Sequence, residues 1–362
     1  MRKALSFRDF DWLLLLLVLA IATIGVLQIY STTAHTVLAS QYKKQIYWVA
    51  LGCFLAIVAS RLDYHIVLEH IPWIYVASVL ALGGVLAAGR VSGGARRWLS
   101  MGPVTFQVSE IVKLVIMILV AAYFANRREK TVTWKDFAKL GALVGVPAVL
   151  VAKEPDLGTA LTLVPIVAVG FFLGGMRARH LLSMLLLAGL ALPIGLHFLK
   201  PYQRERLTAF MHPSQDTQRS GYQGSQAKIA IGSGGLWGKG LGNGTQSRLG
   251  FIPVSQADFI FASFAEEQGF VGTLLVFLLY LALFWRLLDG VQTAGDRAGA
   301  FLIAGFVAVL FFQAAVNIGM MIGFLPITGI PLPLMSEGGS STMTTFLALG
   351  LVMSVRMRRF VN

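Results

Sequence analysis

Long apolar stretches alternate with short polar ones along most of the chain. A block of about 20 apolar residues forms a helix that can cross roughly 30 Å of hydrocarbon. The pattern predicts ten such spans, at about 12–28, 46–60, 71–89, 109–125, 140–153, 157–175, 180–199, 264–286, 299–322 and 342–356. We therefore expect an all-α polytopic membrane protein with one integral membrane domain over residues 1–362.

One long segment interrupts this pattern. Residues 200–262, between the seventh and eighth predicted spans, are too polar and glycine-rich to cross a membrane. Lysine and arginine collect in the segments that lie inside if both termini are cytoplasmic, including Arg2, Lys3 and Arg8 before the first span. The same topology makes residues 200–262 a large extracytoplasmic loop.

Composition agrees with the membrane assignment. Only 13% of residues are charged, against about 25% in soluble domains. A net charge of +13 is typical of nucleic-acid binders, but in a membrane protein it reflects basic cytoplasmic loops, so we expect no nucleic-acid partner. The single cysteine, Cys53, excludes a disulfide framework, and the six histidines show no zinc-binding spacing.

An isolated acid stands at the end of the long loop. Asp258 lies in Gln-Ala-Asp-Phe-Ile-Phe-Ala, just before the eighth span. Apolar neighbours raise the pKa of a carboxyl and suit it to accept a proton near neutral pH. From the residues alone, a helix cap or a simple interfacial charge is the more common explanation for an acid at such a position.

Other charged residues near the predicted span ends also have two explanations. Glu110 and Lys113 share one helix face, as a functional pair or as a structural ion pair. Asp156, in the turn Lys-Glu-Pro-Asp, is favoured as a helix cap. Arg204 and Arg206 open the long loop and suit either phosphate or lipid head groups.

The loop and its surroundings hold further candidates. The glycine-rich run 232–244 is consistent with a phosphate-binding backbone or with a flexible loop. Ser263 and Glu266 have the spacing of a capping box, whereas Glu267 lies just within a span. Residues 317–342, with three prolines and a Gly-Gly pair, predict an irregular outside segment that faces the loop.

Taken together, several motifs resemble the SEDS family, the polytopic bacterial proteins of shape, elongation, division and sporulation. They are VSEIVK (108–113), EPDLGTAL (154–161), PYQRERLTAF (201–210), the 220–272 stretch, NIGM and GGSS. The match covers nearly the whole chain, and GTQSRLGFIP resembles the elongation type more than the division type. Glu337 stands where an aromatic residue is expected, which puts the local contact there in doubt.

The resemblance implies a peptidoglycan glycosyltransferase of the bacterial inner membrane that polymerises lipid II on the outer face with a class B penicillin-binding protein. It places the essential carboxylate on Asp258. It also marks Glu110 and Lys113 as a functional pair, Asp156 as a site residue and Ser340, in GGSS, as a substrate contact. Candidate pyrophosphate partners are then Arg204, Arg206, Lys113 and Lys239.

Cofactor and mechanism class stay open at this point. A divalent cation, Mg²⁺ or Mn²⁺, would suit the pyrophosphate, but the sequence shows no carboxylate cluster to hold it. A lipid II transporter is the main alternative, since Glu110 and Lys113 are predicted within the membrane. A scaffold that only recruits a synthase leaves those charges unexplained.

Overall fold

The computed structural model describes residues 10–34, 36–92, 95–101, 104–127, 129, 131–197, 200–212 and 220–359. These residues form helices α1 (Trp12–Thr33), α2 (Gln41–Arg61), α3 (Tyr64–Ala88), α4 (Val108–Ala125), α5 (Trp134–Lys153), α6 (Leu157–Leu173), α7 (Ala178–His197), α8 (Pro201–Met211), α9 (Ser220–Ser233), α10 (Thr245–Arg248), α11 (Ile260–Gln292), α12 (Arg297–Ile322) and α13 (Gly339–Met357). The strands are β1 (Arg90–Ser92), β2 (Ala95–Met101) and β3 (Val104–Gln107). The predicted basic N-terminus, with Arg2, Lys3 and Arg8, lies outside the described residues.

A helix lies at each of the ten positions where a span is predicted: α1 to α7 and α11 to α13. The mainly helical fold class is therefore confirmed. Five of these helices, α1, α3, α4, α11 and α12, are long and apolar enough to cross a membrane, and α6 is a shorter apolar helix. The total of ten spans stays a prediction.

Aspartate side chains begin four of the long helices. Asp11, Asp63, Asp156 and Asp296 each accept a hydrogen bond from a backbone N–H in the first turn of α1, α3, α6 and α12. These caps satisfy amide groups that have no partner within the helix. At these four positions the polar segment between two apolar blocks supplies the residue that starts the next helix.

The core of the bundle forms around α4. This helix is buried along most of its length and contacts α3, α5, α6, α12 and α13. Phe124 of α4 stacks on Phe301 of α12, with ring centroids 5.1 Å apart. Beyond the charged pair Glu110 and Lys113 in its first turns, α4 is almost wholly apolar, as expected of a helix in the middle of a bundle.

A small antiparallel sheet lies between α3 and α4, which the sequence analysis treated as a plain outside loop. Its strand order is β1-β2-β3, with Leu99 opposite Phe106 and Ser100 opposite Thr105. The sheet leads directly into α4, because Gln107 ends β3 and Val108 begins the helix. It therefore fixes Arg97 and Gln107 beside the first turn of α4.

The segment 200–262 is largely folded rather than an open loop. It contains the helices α8, α9 and α10, although residues 213–219 lie outside the described part. Only the glycine-rich run after α9 and the stretch 249–259 are non-helical between these helices and α11. These three helices were not predicted, because they are short and carry no long apolar stretch.

The two ends of the bundle carry different groups. Asp11, before α1, forms ion pairs with Arg286 near the end of α11 (3.0 Å) and with Arg356 near the end of α13 (2.8 Å). Asp258 stands just before the opposite end of α11. The described beginning and end of the chain are thus together at one end of α11, and Asp258 lies at the other.

Candidate active site

Asp258 is held in place by its backbone. Its carbonyl oxygen accepts a hydrogen bond from Nδ2 of Asn317 at 2.9 Å, and the same Nδ2 donates to the carbonyl of Ile330 at 2.8 Å. Asn317 is fully buried in the last turns of α12. One buried amide therefore joins the residue before α11 to the chain segment after α12.

That segment, residues 323–338, is the irregular part of the predicted 317–342 stretch, whose ends belong to α12 and α13. It runs along the residues before Asp258, as the sequence analysis predicts. Ser336 Oγ donates to the carbonyl of Ala257 at 2.7 Å, and the Glu337 N–H donates to the carbonyl of Gln256 at 3.0 Å. These bonds satisfy backbone groups that no helix supplies with partners.

Arg206 and Asp258 meet over Gly329. A Cβ at Gly329 would lie 3.4 Å from Asp258 Oδ2 and 3.9 Å from Arg206 Nη1, and Gly329 has a φ of +74° that favours glycine. Arg206 also donates from Nη1 to the carbonyl of Ile327 at 3.2 Å. Within the described residues no hydrogen bond ends on the Asp258 carboxylate, so that group is available to a substrate.

The surroundings of Asp258 make its carboxylate a stronger proton acceptor than that of an exposed aspartate. Burial raises the pKa of the Asp258 carboxyl above its usual range, and the charge of Asp156 raises it further. The guanidinium groups of Arg206 and Arg97 oppose this rise. The side chain remains partly exposed, as a group that meets substrate must be.

Asp156 is both a helix cap and a member of this cluster. Its Oδ1 accepts the Thr159 N–H at 3.0 Å and its Oδ2 accepts Thr159 Oγ1 at 2.9 Å. Gln107 Nε2 donates to Oδ2 at 2.6 Å, and Arg97 Nη1 lies 3.7 Å from the same oxygen. The two explanations offered by the sequence are therefore compatible, since the cap leaves Asp156 electrostatically coupled to Asp258.

Ser340 and the charged pair of α4 have partners within the protein. Ser340 Oγ accepts the Gln107 N–H at 3.0 Å, so it reaches Asp156 only through Gln107. Lys113 Nζ and Glu110 Oε2 form an ion pair of 2.8 Å, with side chains only 6% and 7% exposed. The Ser340 contact supports the cluster, whereas the ion pair on α4 is closed and buried.

A cleft opens beside Arg206. Apolar atoms of Phe210, Leu325 and Ile327 line it, together with the cation of Lys228. The Lys228 side chain lies over Gly323, where a Cβ would come within 2.4 Å of Nζ. The cleft thus combines two cations with an apolar wall.

Two predicted pyrophosphate partners are placed differently. Arg204 is exposed on α8, whereas Arg206 on the same helix turns into the cluster. Lys239 forms an ion pair with Glu266 at 2.6 Å and donates to Thr245 Oγ1 at 2.8 Å. The structure therefore brings Arg206 to Asp258 but gives Lys239 a protein partner.

The glycine-rich run is anchored to the protein. The N–H groups of Lys239 and Gly240 donate to the carbonyls of Glu266 and Glu267, and the Gly242 N–H donates to Ser31 Oγ. Amide groups used in this way cannot cradle a phosphate, so the phosphate-loop hypothesis is wrong for these three positions. Their glycines serve instead the positive φ angles of a tight, fixed loop.

The adjacent acids of α11 have structural partners. The predicted capping box of Ser263 and Glu266 is wrong, because Ser263 Oγ donates to the carbonyl of Phe259 and Glu266 instead accepts the Gln246 N–H. Glu267 accepts Ser31 Oγ of α1 at 2.6 Å. These contacts hold α1, α11 and the glycine-rich run together.

Glu337, the departure from the family pattern, has its own local contacts. Burial raises the pKa of its carboxyl, whereas the charge of Lys44 and a hydrogen bond with Gln256 lower it. Lys44 belongs to α2, so Glu337 connects the irregular segment 323–338 to that helix.

Sequence reasoning missed several residues of the cluster. Asn317 is an amide within an apolar helix, and that isolation was the signal that could have found it. Gln107 and Arg97 lie in a sheet that was not predicted, so no signal pointed to them. Lys228 was not singled out by the sequence, and Glu154 appeared there only as part of the turn Lys-Glu-Pro-Asp and of the motif EPDLGTAL.

The donor set does not fit a metal centre. Among the described residues, no group of three or more His, Cys, Asp or Glu side chains could hold a metal ion. Asp258 and Asp156 act on each other electrostatically, but each also has an arginine beside it. We therefore derive no chemical step through a cation.

Comparison with known proteins agrees with this architecture. The family model described as Cell cycle protein, which covers FtsW, RodA and SpoVE, matches residues 11–360. The chain is 37% identical to the peptidoglycan glycosyltransferase MrdB of Escherichia coli K12, over 96% of this chain and 94% of that protein. It is 32% identical to the peptidoglycan glycosyltransferase RodA of Treponema pallidum, over 97% and 98%.

Solved structures show the same fold. A chain from a study described as structural coordination of polymerization and crosslinking by a peptidoglycan synthase complex matches with a TM-score of 0.85 and 33% identity, over 97% of this chain and 98% of that one. The crystal structure of Thermus thermophilus RodA matches with a TM-score of 0.72 and 31% identity, over the same shares. The chain therefore belongs to the FtsW/RodA/SpoVE family of cell cycle proteins.

Proposed function

We propose that this chain is a peptidoglycan glycosyltransferase that polymerises lipid II into β-1,4-linked glycan during cell elongation. Relatives along nearly its whole length carry that activity in their names. The observation that carries the proposal is the Asp258 carboxylate, which is free of hydrogen bonds from the described residues and faces Arg206 over Gly329. This arrangement supplies a base and a cation on either side of one position.

In the reaction, Asp258 acts as the general base. The 4-hydroxyl oxygen of the acceptor sugar attacks the anomeric carbon of the donor, and its proton passes to Asp258. The new C–O bond forms as the bond from that carbon to the diphosphate oxygen breaks, which inverts the configuration. The raised pKa of Asp258 makes its carboxylate a better proton acceptor than that of an exposed aspartate, and the proton returns to solvent afterwards.

The leaving group is a polyprenyl diphosphate, whose negative charge grows as the bond breaks. Arg206 is the cation placed to stabilise it, because its guanidinium lies beside Asp258 and lines the adjacent cleft. Lys228 supplies a second cation in that cleft, and the apolar lining by Phe210, Leu325 and Ile327 suits the first prenyl units. Arg204, exposed on α8, is better suited to head groups at the surface.

We further propose that both termini are cytoplasmic and that Asp258 faces outside. The ion pairs of Asp11 with Arg286 and Arg356 support this topology, because they lie at the end of α11 opposite to Asp258. In a Cys53→Ala background, a cysteine at exposed Lys153 should react with an impermeant maleimide in intact cells. A cysteine at exposed Gln292 should react only after permeabilisation, and the reverse pattern would invert the topology.

Two expectations from the resemblance remain proposals. A class B penicillin-binding protein is the proposed partner, supported by the solved synthase complex whose chain this one resembles. A requirement for Mg²⁺ or Mn²⁺ is the other, although the described residues offer no ligand cluster for such an ion. Polymerisation measured with and without the partner, and with chelator or added cation, tests both.

The test of function is polymerisation of labelled lipid II by the purified protein, alone and with the partner transpeptidase. Glycan ladders are expected in at least one condition. The competing hypothesis is lipid II transport, and the structure offers little for it, because Glu110 and Lys113 neutralise each other. Lipid II crossing the bilayer of proteoliposomes, with no ladders in any condition, would replace the glycosyltransferase with a transporter.

A further inference from the structure

Glu154 is a buried acid that the proposed chemistry does not use. It follows the last residue of α5, and its N–H donates to the carbonyls of Leu150 and Val151. Its side chain is 0% exposed. Among the described residues, neither carboxylate oxygen has a hydrogen-bond partner. A buried carboxylate without partners is costly, whereas the protonated form is tolerated far better.

Arg97 is the cation whose charge acts on the Glu154 carboxyl. Its Nη1 lies 3.7 Å from Asp156 Oδ2, a long ion pair, and its Nε is buried without a partner among the described residues. The charge of Arg97 acts on Glu154 and also on Asp258. Arg97 is therefore shared among three acids and keeps one donor unused.

The formal charges of the cluster decide which state of Glu154 fits. Two arginines, Arg97 and Arg206, face the three acids Glu154, Asp156 and Asp258. The cluster is neutral when Glu154 carries its proton and has one excess negative charge when Glu154 is ionised. An ionised Glu154 would attract the unused Nε of Arg97 and draw the guanidinium away from Asp156 and Asp258.

We propose that Glu154 is a pH-sensing group of the polymerase: it is uncharged while the enzyme works, and its ionisation takes Arg97 from the catalytic cluster and slows polymerisation. This inference rests on the proposed glycosyltransferase function. Glu154 touches no substrate in this account. It acts through Arg97 and Asp156, which surround the base Asp258.

The acid–base properties of Glu154 agree with the geometry. Burial raises the pKa of its carboxyl to about 8, the charge of Asp156 raises it, and Arg97 lowers it. The other charged groups nearby do not change this balance. Lys153 is exposed to solvent at the end of α5, and Glu110 and Lys113 form a closed ion pair on α4. Ionisation of Glu154 therefore falls just above neutral pH.

The experiment compares the initial polymerisation rate of the full-length protein with its partner at pH 7 and pH 9, for the wild type and Glu154→Gln. With a pKa of about 8, roughly nine tenths of the wild-type molecules hold a neutral Glu154 at pH 7 and about one tenth at pH 9. The wild-type rate should therefore fall about tenfold between these values relative to Glu154→Gln, whose side chain cannot ionise.

Two further variants make the result specific. Lys153→Gln changes the charge of the neighbouring exposed residue and should show the wild-type decline at pH 9. Glu154→Met is uncharged and of similar volume, so it carries the same prediction if Glu154→Gln does not fold. Folding of each variant is checked by its elution as a single species and by its melting temperature at both pH values.

The same alkaline decline in the wild type and in a folded, uncharged variant at position 154 would overturn the proposal. So would loss of polymerisation at pH 7 in both uncharged variants, because the working form would then carry the charge. If the wild type makes no glycan at any pH, the proposed function itself fails. If glycan ladders form at pH 7 and the wild type and the uncharged variants have the same dependence of rate on pH, only the role of Glu154 is refuted.

Discussion

The buried ion pair of Glu110 and Lys113 allows a test that separates structure from function. The Glu110 and Lys113 side chains are 7% and 6% exposed, and their charged atoms lie 2.8 Å apart on the first turns of α4. Removing one partner leaves the other charge buried and unpaired. That costs about 3–5 kcal/mol, whereas replacing both by apolar side chains of similar volume is often neutral.

We therefore expect Glu110→Met and Lys113→Met to lower the melting temperature by roughly 5 °C each, since an unfolding entropy of about 2 cal/mol/K per residue makes 1 kcal/mol correspond to about 1 °C in a chain of 362 residues. The double variant should melt within about 2 °C of the wild type. Glu129→Gln is the matched control, because Glu129 also forms an ion pair, with Arg127, but its side chain is 69% exposed. Such a pair contributes about 1 kcal/mol or less.

Polymerisation by the double variant then decides the role of the pair. The family resemblance predicts a folded protein without activity. Wild-type activity in the double variant would show that the pair is only structural. Single variants as stable as the wild type would refute the reasoning from burial, because an unpaired charge at these positions would then cost nothing.

Three further outcomes follow from the structure. Gly269 has φ +63° and ψ −162° within α11, so Gly269→Ala should cost about 1–3 kcal/mol in backbone strain. The added Cβ would also lie only 2.3 Å from the Gly238 nitrogen, which raises the cost. Gly83→Ala is the control: Gly83 has open space around it, so the melting temperature should be unchanged or slightly higher. Asp258 must be ionised to act as a base, and burial raises its pKa above the usual value of about 4. The polymerisation rate should therefore increase with pH, with the midpoint of the increase above about pH 4. A midpoint at or below that pH would contradict the burial of Asp258. Lys239→Met removes the partner of buried Glu266, so it should lower thermal stability and leave KM for lipid II unchanged. A raised KM with unchanged stability would instead show that Lys239 belongs to the substrate site.

The apolar pattern predicted the helices of the bundle well, because each long block has one physical solution in a membrane. The ten predicted spans coincide with helices, and Asp156 caps α6 as its position in the turn indicated. The sheet and the helices α8 to α10 were missed, because polar segments are consistent with many structures when their tertiary partners are unknown.

The catalytic cluster was predictable only in part. Asp258 and Arg206 stood out as charges next to apolar segments, and the structure brings them together over Gly329. The contacts that position them join residues far apart in the chain, such as Gln107 with Ser340 and Asn317 with the Asp258 carbonyl. No local pattern specifies such pairs. The glycine-rich run shows the converse, since a composition typical of phosphate loops proved to be a fixed structural turn.

The most direct test of the central claim compares the wild type with Asp258→Asn in the lipid II polymerisation assay, in the presence of the partner transpeptidase. Asparagine keeps the size of the side chain but cannot accept the proton of the acceptor hydroxyl. The account predicts that Asp258→Asn folds with an unchanged melting temperature, still binds lipid II and makes no glycan ladder. Ladders from Asp258→Asn at the wild-type rate would remove Asp258 from the role of base and contradict the proposed mechanism.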